Sequence, residues 1–197
     1  MDELARIAKK FEVALGSKPK IEIPSGRDQL AVAFGELGYT RGAEIGTAEG
    51  IYAEVLCKAI PNLWLMCVDP WEPYYGYNGM QKANLQDCYE TASARLAVYQ
   101  AKLMKAFSME AVRHLVSESL DFVYIDANHE LPWIMDDLHA WAEKVRVGGI
   151  IAGHDYHAMN DQCHVQVAVD CYTKAYHIAP LFILTEDRYP SWFWVKE

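Results

Sequence analysis

Five apolar runs of strand length, "GAEIG", "LWLMCVD", "AKLMKAF", "DFVYIDA" and "GGIIAGHD", are separated by longer stretches of helical period, and this alternation constrains the fold more than any other feature. Strands that are apolar throughout must be covered on both faces, and helices crossing between parallel strands supply that cover. The expected architecture is an α/β fold with a Rossmann-like, mostly parallel sheet between two helical layers. Helices are expected near residues 2–15 and 27–38, then 49–59, 81–98, 108–117, 131–145 and 161–176. Within 131–145, Ile134, Leu138, Trp141 and Val145 line one apolar face. "IAPLFILT", the turn "EDRYP" and "SWFWVK" read as a closing antiparallel hairpin, where Trp192 and Trp194 alternate with Phe193. A core or homodimer contact is expected there. With 197 residues the chain fits a single domain. Residues 1–39 read as N-terminal helices on the substrate side of that domain, and 40–197 as its main body.

Composition narrows the function classes. The chain is 52% apolar and 23% charged, as expected of a soluble globular protein. No apolar run approaches the roughly 18 residues that a membrane span requires. "MDELARIAKKFEVAL" spreads charge through an amphipathic pattern without the apolar core of a signal peptide, so it reads as a cytoplasmic helix. A net charge of −9 repels phosphate backbones, and nucleic acid is not expected as a partner. Cys57, Cys67, Cys88, Cys163 and Cys171 are odd in number and form no CxxC pair, so reduced and mostly buried thiols are expected.

In a doubly wound sheet, ligands bind beyond the carboxyl ends of the strands where strand order reverses, which directs attention to "GAEIGTAEGIY". Gly46 and Gly50 sit on its turn, where glycine permits close backbone approach and the next helix offers free amides. Glu44 lies inside an apolar strand, where an unpaired carboxylate is costly unless a cationic or amine-bearing ligand compensates. Asp69 ends the next strand at the height where an acid accepts hydrogen bonds from ribose hydroxyls. Together they describe a pocket for an adenosine with a positively charged tail. A nicotinamide dinucleotide fits less well, since the G-x-G-x-x-G pattern is broken at Ala48 and the chain leaves no room for a separate substrate domain.

"EIGTAEG", the acid of "CVDPW", "LDFVYIDANHE", "VRVGGIIAGHD" and the closing hairpin resemble a class I S-adenosylmethionine-dependent methyltransferase. More narrowly, they resemble the class-24 small-molecule O-methyltransferase group related to catechol, macrolide and rhamnosyl O-methyltransferases. The resemblance covers roughly residues 40–195. It implies a seven-stranded sheet with the last strand antiparallel, and S-adenosyl-L-methionine as cofactor. It also implies Glu44, Gly46, Thr47 and Gly50 around the methionine end, Asp69 on the ribose, and Trp71 or Ser108 near the adenine. Asp126 is counted with both the cofactor-binding and the catalytic groups.

"IDANHE" puts Asp126 at the end of one strand and His129 just beyond it, while "GHDYH" puts His154, Asp155 and His157 at the end of the next. Neighbouring strand ends converge on one crevice, and two carboxylates with imidazoles suit a divalent metal. Metal-dependent members of the resembling group carry an acid at the position of Asp126 and two acids, or Asp-Asn, where this chain has His154-Asp155. The departure leaves two readings: a metal site of Asp126, His154 and Asp155 that takes a softer ion than magnesium, or a metal-free site. In the second, His129 or His154 is the general base. His129 has a further reading as a cap or positioning group for the helix after it. Residues 71–79, with Trp71, Tyr74, Tyr75 and Tyr77, read either as an aromatic lid over a ring-shaped substrate or as surface packing.

The expected activity is methyl transfer to a hydroxyl of a small aromatic or sugar-like acceptor. The alternatives are a non-catalytic S-adenosylmethionine-binding or assembly protein of the same fold, an N-methyltransferase, and a metal-dependent hydroxylase-like relative.

Overall fold

The computed structural model describes residues 3–16, 18–73, 85–157 and 163–197. Tyr74, Tyr75 and Tyr77 lie outside the described residues. The strands are β1 (Lys20–Ile23), β2 (Arg41–Ile45), β3 (Trp64–Asp69), β4 (Ala101–Lys105), β5 (Leu120–Ile125), β6 (Val145–Gly153), β7 (Leu181–Leu184) and β8 (Ser191–Val195). The helices are α1 (Glu3–Lys10), α2 (Arg27–Leu37), α3 (Ile51–Ala59), α4 (Leu85–Leu96), α5 (Ser108–Ala111), α6 (Leu131–Lys144) and α7 (Val165–Ala175). One sheet takes the order β1-β7-β8-β6-β5-β2-β3-β4. β8 runs antiparallel to both β6 and β7, and the remaining pairs are parallel.

The sheet has eight strands where seven were expected. The additional strand, β1, carries only "KIEI" and buries only Ile23. The four residues between Pro19 and Pro24 alternate polar and apolar, as a half-buried strand does, but the run is too short to mark a strand by itself. Pairing with β7 makes them a strand, with Leu181 N–H donating to Pro19 O and Thr185 N–H to Ile23 O. Smaller differences fall at helix ends. α1 stops at Lys10 rather than near residue 15, and Val145 is already the first residue of β6.

Alternate residues of each strand feed two cores. On one face α6 and α7 lay Ile134, Leu138, Trp141, Val165 and Val169 over Ala43, Ile45, Val123, Ile125, Trp192 and Trp194. On the other, α1, α2 and α3 lay Ile7, Leu30, Phe34, Ala53 and Leu56 over Phe122, Tyr124, Phe182 and Phe193. Burying each large apolar side chain stabilises the fold by about 1.5–3 kcal/mol. Trp192, Phe193 and Trp194 are all core residues, which takes up the first of the two roles expected for them. No helix among the described residues is long and apolar enough to cross a membrane.

Candidate active site

The carboxyl ends of β2, β3, β5 and β6 open into a cleft of about 730 Å³. At the β2 end, Gly46 adopts φ +91°, and a Cβ there would lie 2.0 Å from the carbonyl oxygen of Asp126. The glycine is therefore required first by the adjoining end of β5, whose Asp126 N–H donates to Ile45 O at 2.8 Å. Gly46 and Thr47 donate their N–H groups to Val68 O of β3. Gly50 enters α3 in the left-handed conformation, φ +73°.

Asp69 holds this turn in place. Its Oδ2 accepts from Ala48 N–H at 2.9 Å and its Oδ1 from Trp71 N–H at 2.8 Å. Burial raises its pKa, and the two backbone donors oppose the rise. Each carboxylate oxygen retains a second acceptor direction, and Asp69 lines the cleft. Trp71 is placed otherwise. Its indole N–H donates to Ala48 O at 2.8 Å, its ring meets Tyr89 edge-on, and it lies behind the turn rather than among the cleft-lining residues. Glu44, Thr47 and Gly50 are likewise buried beneath the cleft. Among the described residues, Glu44 Oε2 and the Thr47 hydroxyl have no hydrogen-bond partner. Burial pushes the Glu44 carboxyl up to about 8, with the adjacent Thr47 hydroxyl and the Arg27 charge opposing.

The ends of β5 and β6 bring the acids and imidazoles together. Ligand atoms of Asp126, His154 and Asp155 lie within 4.8 Å of one another. His154 Nδ1 is 3.3 Å from Asp155 Oδ2 and 3.8 Å from Asp126 Oδ2. His129 Nε2 is 3.2 Å from Asp155 Oδ2 and 3.7 Å from Asp126 Oδ1. His157 Nε2 approaches Asp155 Oδ1 at 3.4 Å. Burial lowers the His129 pKa, but Asp126 and Asp155 outweigh it and the net shift is upward. Burial likewise raises Asp155, and His154, His129 and His157 outweigh it to hold the carboxyl below its ordinary value. His129 is not a cap for α6. The side chain of Asn128 accepts from Glu130 N–H, and His164 Nδ1 accepts from Leu131 N–H.

Ser108, at the start of α5, lines the cleft and donates to Asp137 Oδ1 of α6 while accepting from Trp141 Nε1 at 2.7 Å. Burial raises the Asp137 carboxyl to about 7. The signal for Asp137 was present in the sequence, since it falls between Ile134 and Trp141 on the apolar face of its helix. Arg27 had no such signal. It begins α2, reaches within 3.7 Å of Asp126 Oδ2, and places its guanidinium 4.9 Å from the centre of the Tyr52 ring.

No curated protein matches the chain by sequence. Solved structures share its fold. The O-methyltransferase TomG from Streptomyces achromogenes, in complex with S-adenosylmethionine, is 17% identical, with 98% of this chain and 87% of that one covered and a TM-score of 0.63. The O-methyltransferase from Bacillus cereus, in complex with S-adenosylhomocysteine, is 14% identical, with 98% and 88% covered and a TM-score of 0.62. Residues 43–156, more than half of the chain and spanning both ends of the cleft, match the class-24 family model described as a methyltransferase domain. The chain therefore belongs to the class-24 methyltransferase domain family, and it is an S-adenosylmethionine-dependent methyltransferase.

Proposed function

We propose that the protein transfers the methyl group of S-adenosylmethionine to a hydroxyl of a small molecule bound over the ends of β5 and β6. The observation that carries this reading is the convergence of Asp126, His129, His154 and Asp155 at the end of a cleft whose other wall is the Asp69 turn. In it, Asp69 accepts from the ribose hydroxyls, the turn from Gly46 to Gly50 backs the methionine end, and Ser108 lies toward the adenine. Glu44 balances the cofactor's positive charge from beneath. The O-methyltransferases of matching fold lend support to oxygen as the attacking atom.

Transfer requires an oxygen in line with the sulfonium methyl and partly relieved of its proton. Holding the pair in line contributes on the order of several kcal/mol, and a positioned base about 10²–10⁴ in rate. His129, partly exposed and hydrogen-bonding distance from Asp155, takes the acceptor's proton, and Asp155 stabilises the imidazolium that results. Asp126, His154 and Asp155 also fit a divalent ion, and the imidazole in the set suits manganese, iron or zinc better than magnesium. Such an ion, when bound, would lower the pKa of a coordinated hydroxyl. Residues 1–39 form the substrate-side part of the same domain, with Arg27 near the acceptor.

Turnover measured against pH, with and without a chelator, tests the reading. The expected result is methyl transfer that collapses in Asp155→Ala while S-adenosylhomocysteine still binds. Chelator-insensitive turnover would exclude the ion, and full activity of His129→Ala at neutral pH would exclude the base. Cofactor binding without transfer to any hydroxyl compound in a broad acceptor screen would favour the non-catalytic alternative.

A further inference from the structure

His129 and Asp155 both lie past the point where sheet pairing fixes the chain. The last paired residues of β5 and β6 are Ile125 and Gly153, and His154 N–H donates to Ile125 O just beyond them. Yet the His129 imidazole and the Asp155 carboxylate meet at 3.2 Å. Asp155 is moreover held at φ +56°, a conformation that a residue with a Cβ keeps only where its surroundings impose it.

The residues that enter α7 brace both segments. Cys163 Sγ lies 3.7 Å from Asp155 O, within range of a weak S–H hydrogen bond. The next residue, His164, grips the other segment twice. Its main-chain N–H donates to His129 O at 2.8 Å, and its ring Nδ1 accepts from Leu131 N–H at 3.1 Å. Leu131 is the first residue of α6, so that N–H has no acceptor within its own helix. The two bonds enclose residues 129–131, and with them the backbone from which the His129 side chain projects. A reacting group misplaced by about 1 Å can cost on the order of 10²-fold in rate, so such a brace bears on chemistry as well as on stability.

We propose that His164 is a positioning residue for methyl transfer: by closing on His129 O and Leu131 N–H it keeps the His129 imidazole on Asp155. This rests on the role of His129 as base proposed above. What the brace demands of the side chain at 164 is an acceptor. An imidazole nitrogen without a proton supplies one, and so does the oxygen of a side-chain amide.

Nuclear magnetic resonance of the full chain labelled in histidine tests the assignment, with the His129 ring signal identified by its absence in His129→Ala. Asp155→Ala should move that signal, which reports the pairing. His164→Ala, which removes the ring and keeps the main-chain tie, should move it in the same sense or split it. His164→Asn offers a side-chain oxygen to Leu131 N–H and should return the signal most of the way to its wild-type position. His164→Gln carries its oxygen one methylene further out; it should behave as Ala does, and serves if the Ala variant does not fold. S-adenosylhomocysteine affinity should stay within a few-fold of wild type in each His164 variant. A His129 signal unmoved by loss of the His164 ring, or moved as far in His164→Asn, overturns the positioning role alone. So does a move accompanied by loss of S-adenosylhomocysteine binding, the sign of a general loss of structure. A His129 signal that Asp155→Ala leaves in place overturns the pairing, and with it the assignment of His129 as base.

Discussion

The two ends of the cleft are built by different means. At the β2–β3 end, backbone does the positioning: Asp69 is fixed by two main-chain amides, and Gly46 lies against the carbonyl of Asp126. At the β5–β6 end, side chains position one another, with three imidazoles arrayed around the Asp155 carboxylate. A main-chain scaffold tolerates little change of shape, whereas a side-chain cluster can exchange members and alter its chemistry without disturbing the sheet.

The sharpest test of this contrast is Asp155→Ala. Loss of the group that three histidines share should lower turnover by about 10²–10⁴, some 3–5 kcal/mol of transition-state stabilisation, with S-adenosylhomocysteine affinity within a few-fold of wild type. The pH profile carries a further sign. His129 acts as a base only when neutral, so wild-type activity should rise as pH rises through its elevated pKa. Removing the Asp155 charge lowers that pKa and moves the rising limb to lower pH in the residual activity.

Gly46→Ala attacks the scaffold where the two ends meet. A methyl 2.0 Å from Asp126 O at positive φ must displace one strand end. Overpacking and the unfavourable φ contribute about 1–3 kcal/mol each, so a stability loss of about 2–6 kcal/mol is expected from urea denaturation. A variant as stable as wild type would show that the strand ends are free to part.

Asp69→Ala should weaken S-adenosylhomocysteine binding about ten- to hundredfold by calorimetry. It should also lower the melting temperature, because the Ala48 and Trp71 amides lose their acceptor. Reduced affinity with unchanged melting would separate the ligand role of Asp69 from its scaffold role.

Glu44→Gln is read as a slope in pH, not as a loss of binding or turnover. With a folded-state pKa of about 8 against an ordinary 4.5, folded Glu44 retains a proton that the unfolded chain releases between those values. Its contribution therefore makes stability fall as pH rises through that window. The Gln variant lacks this slope, so its melting temperature should match wild type near pH 4.5 and exceed it at pH 8. Parallel melting curves across the window would mean that Glu44 is ionised in the fold and has a cationic partner.

Much of this architecture was legible because it is periodic. Apolar runs marked β2 to β8, and the period-four face of residues 131–145 marked α6. The acids and histidines that end strands marked the cleft, since a charged residue closing an apolar run is legible wherever the fold is parallel. β1 was passed over: Lys20, Ile21, Glu22 and Ile23 alternate polar and apolar, but so short a run between prolines does not reveal that β7, far along the chain, supplies its partner. Arg27 was not legible, because its nearness to Asp126 depends on where α2 packs.

By itself the sequence determined the α/β class, the strand-end positions of Asp69, Asp126 and Asp155, and the glycines of the first turn, all of which follow from local spacing. Tertiary structure decided which face each carboxyl meets. It buried Glu44 below the cleft and put Trp71 behind the turn. It gathered His129 and His154 on Asp155, and turned Asp137 toward Ser108. Spacing along a strand or helix sets the direction of a side chain, but the partner it finds there comes from another segment, and only packing brings the two together.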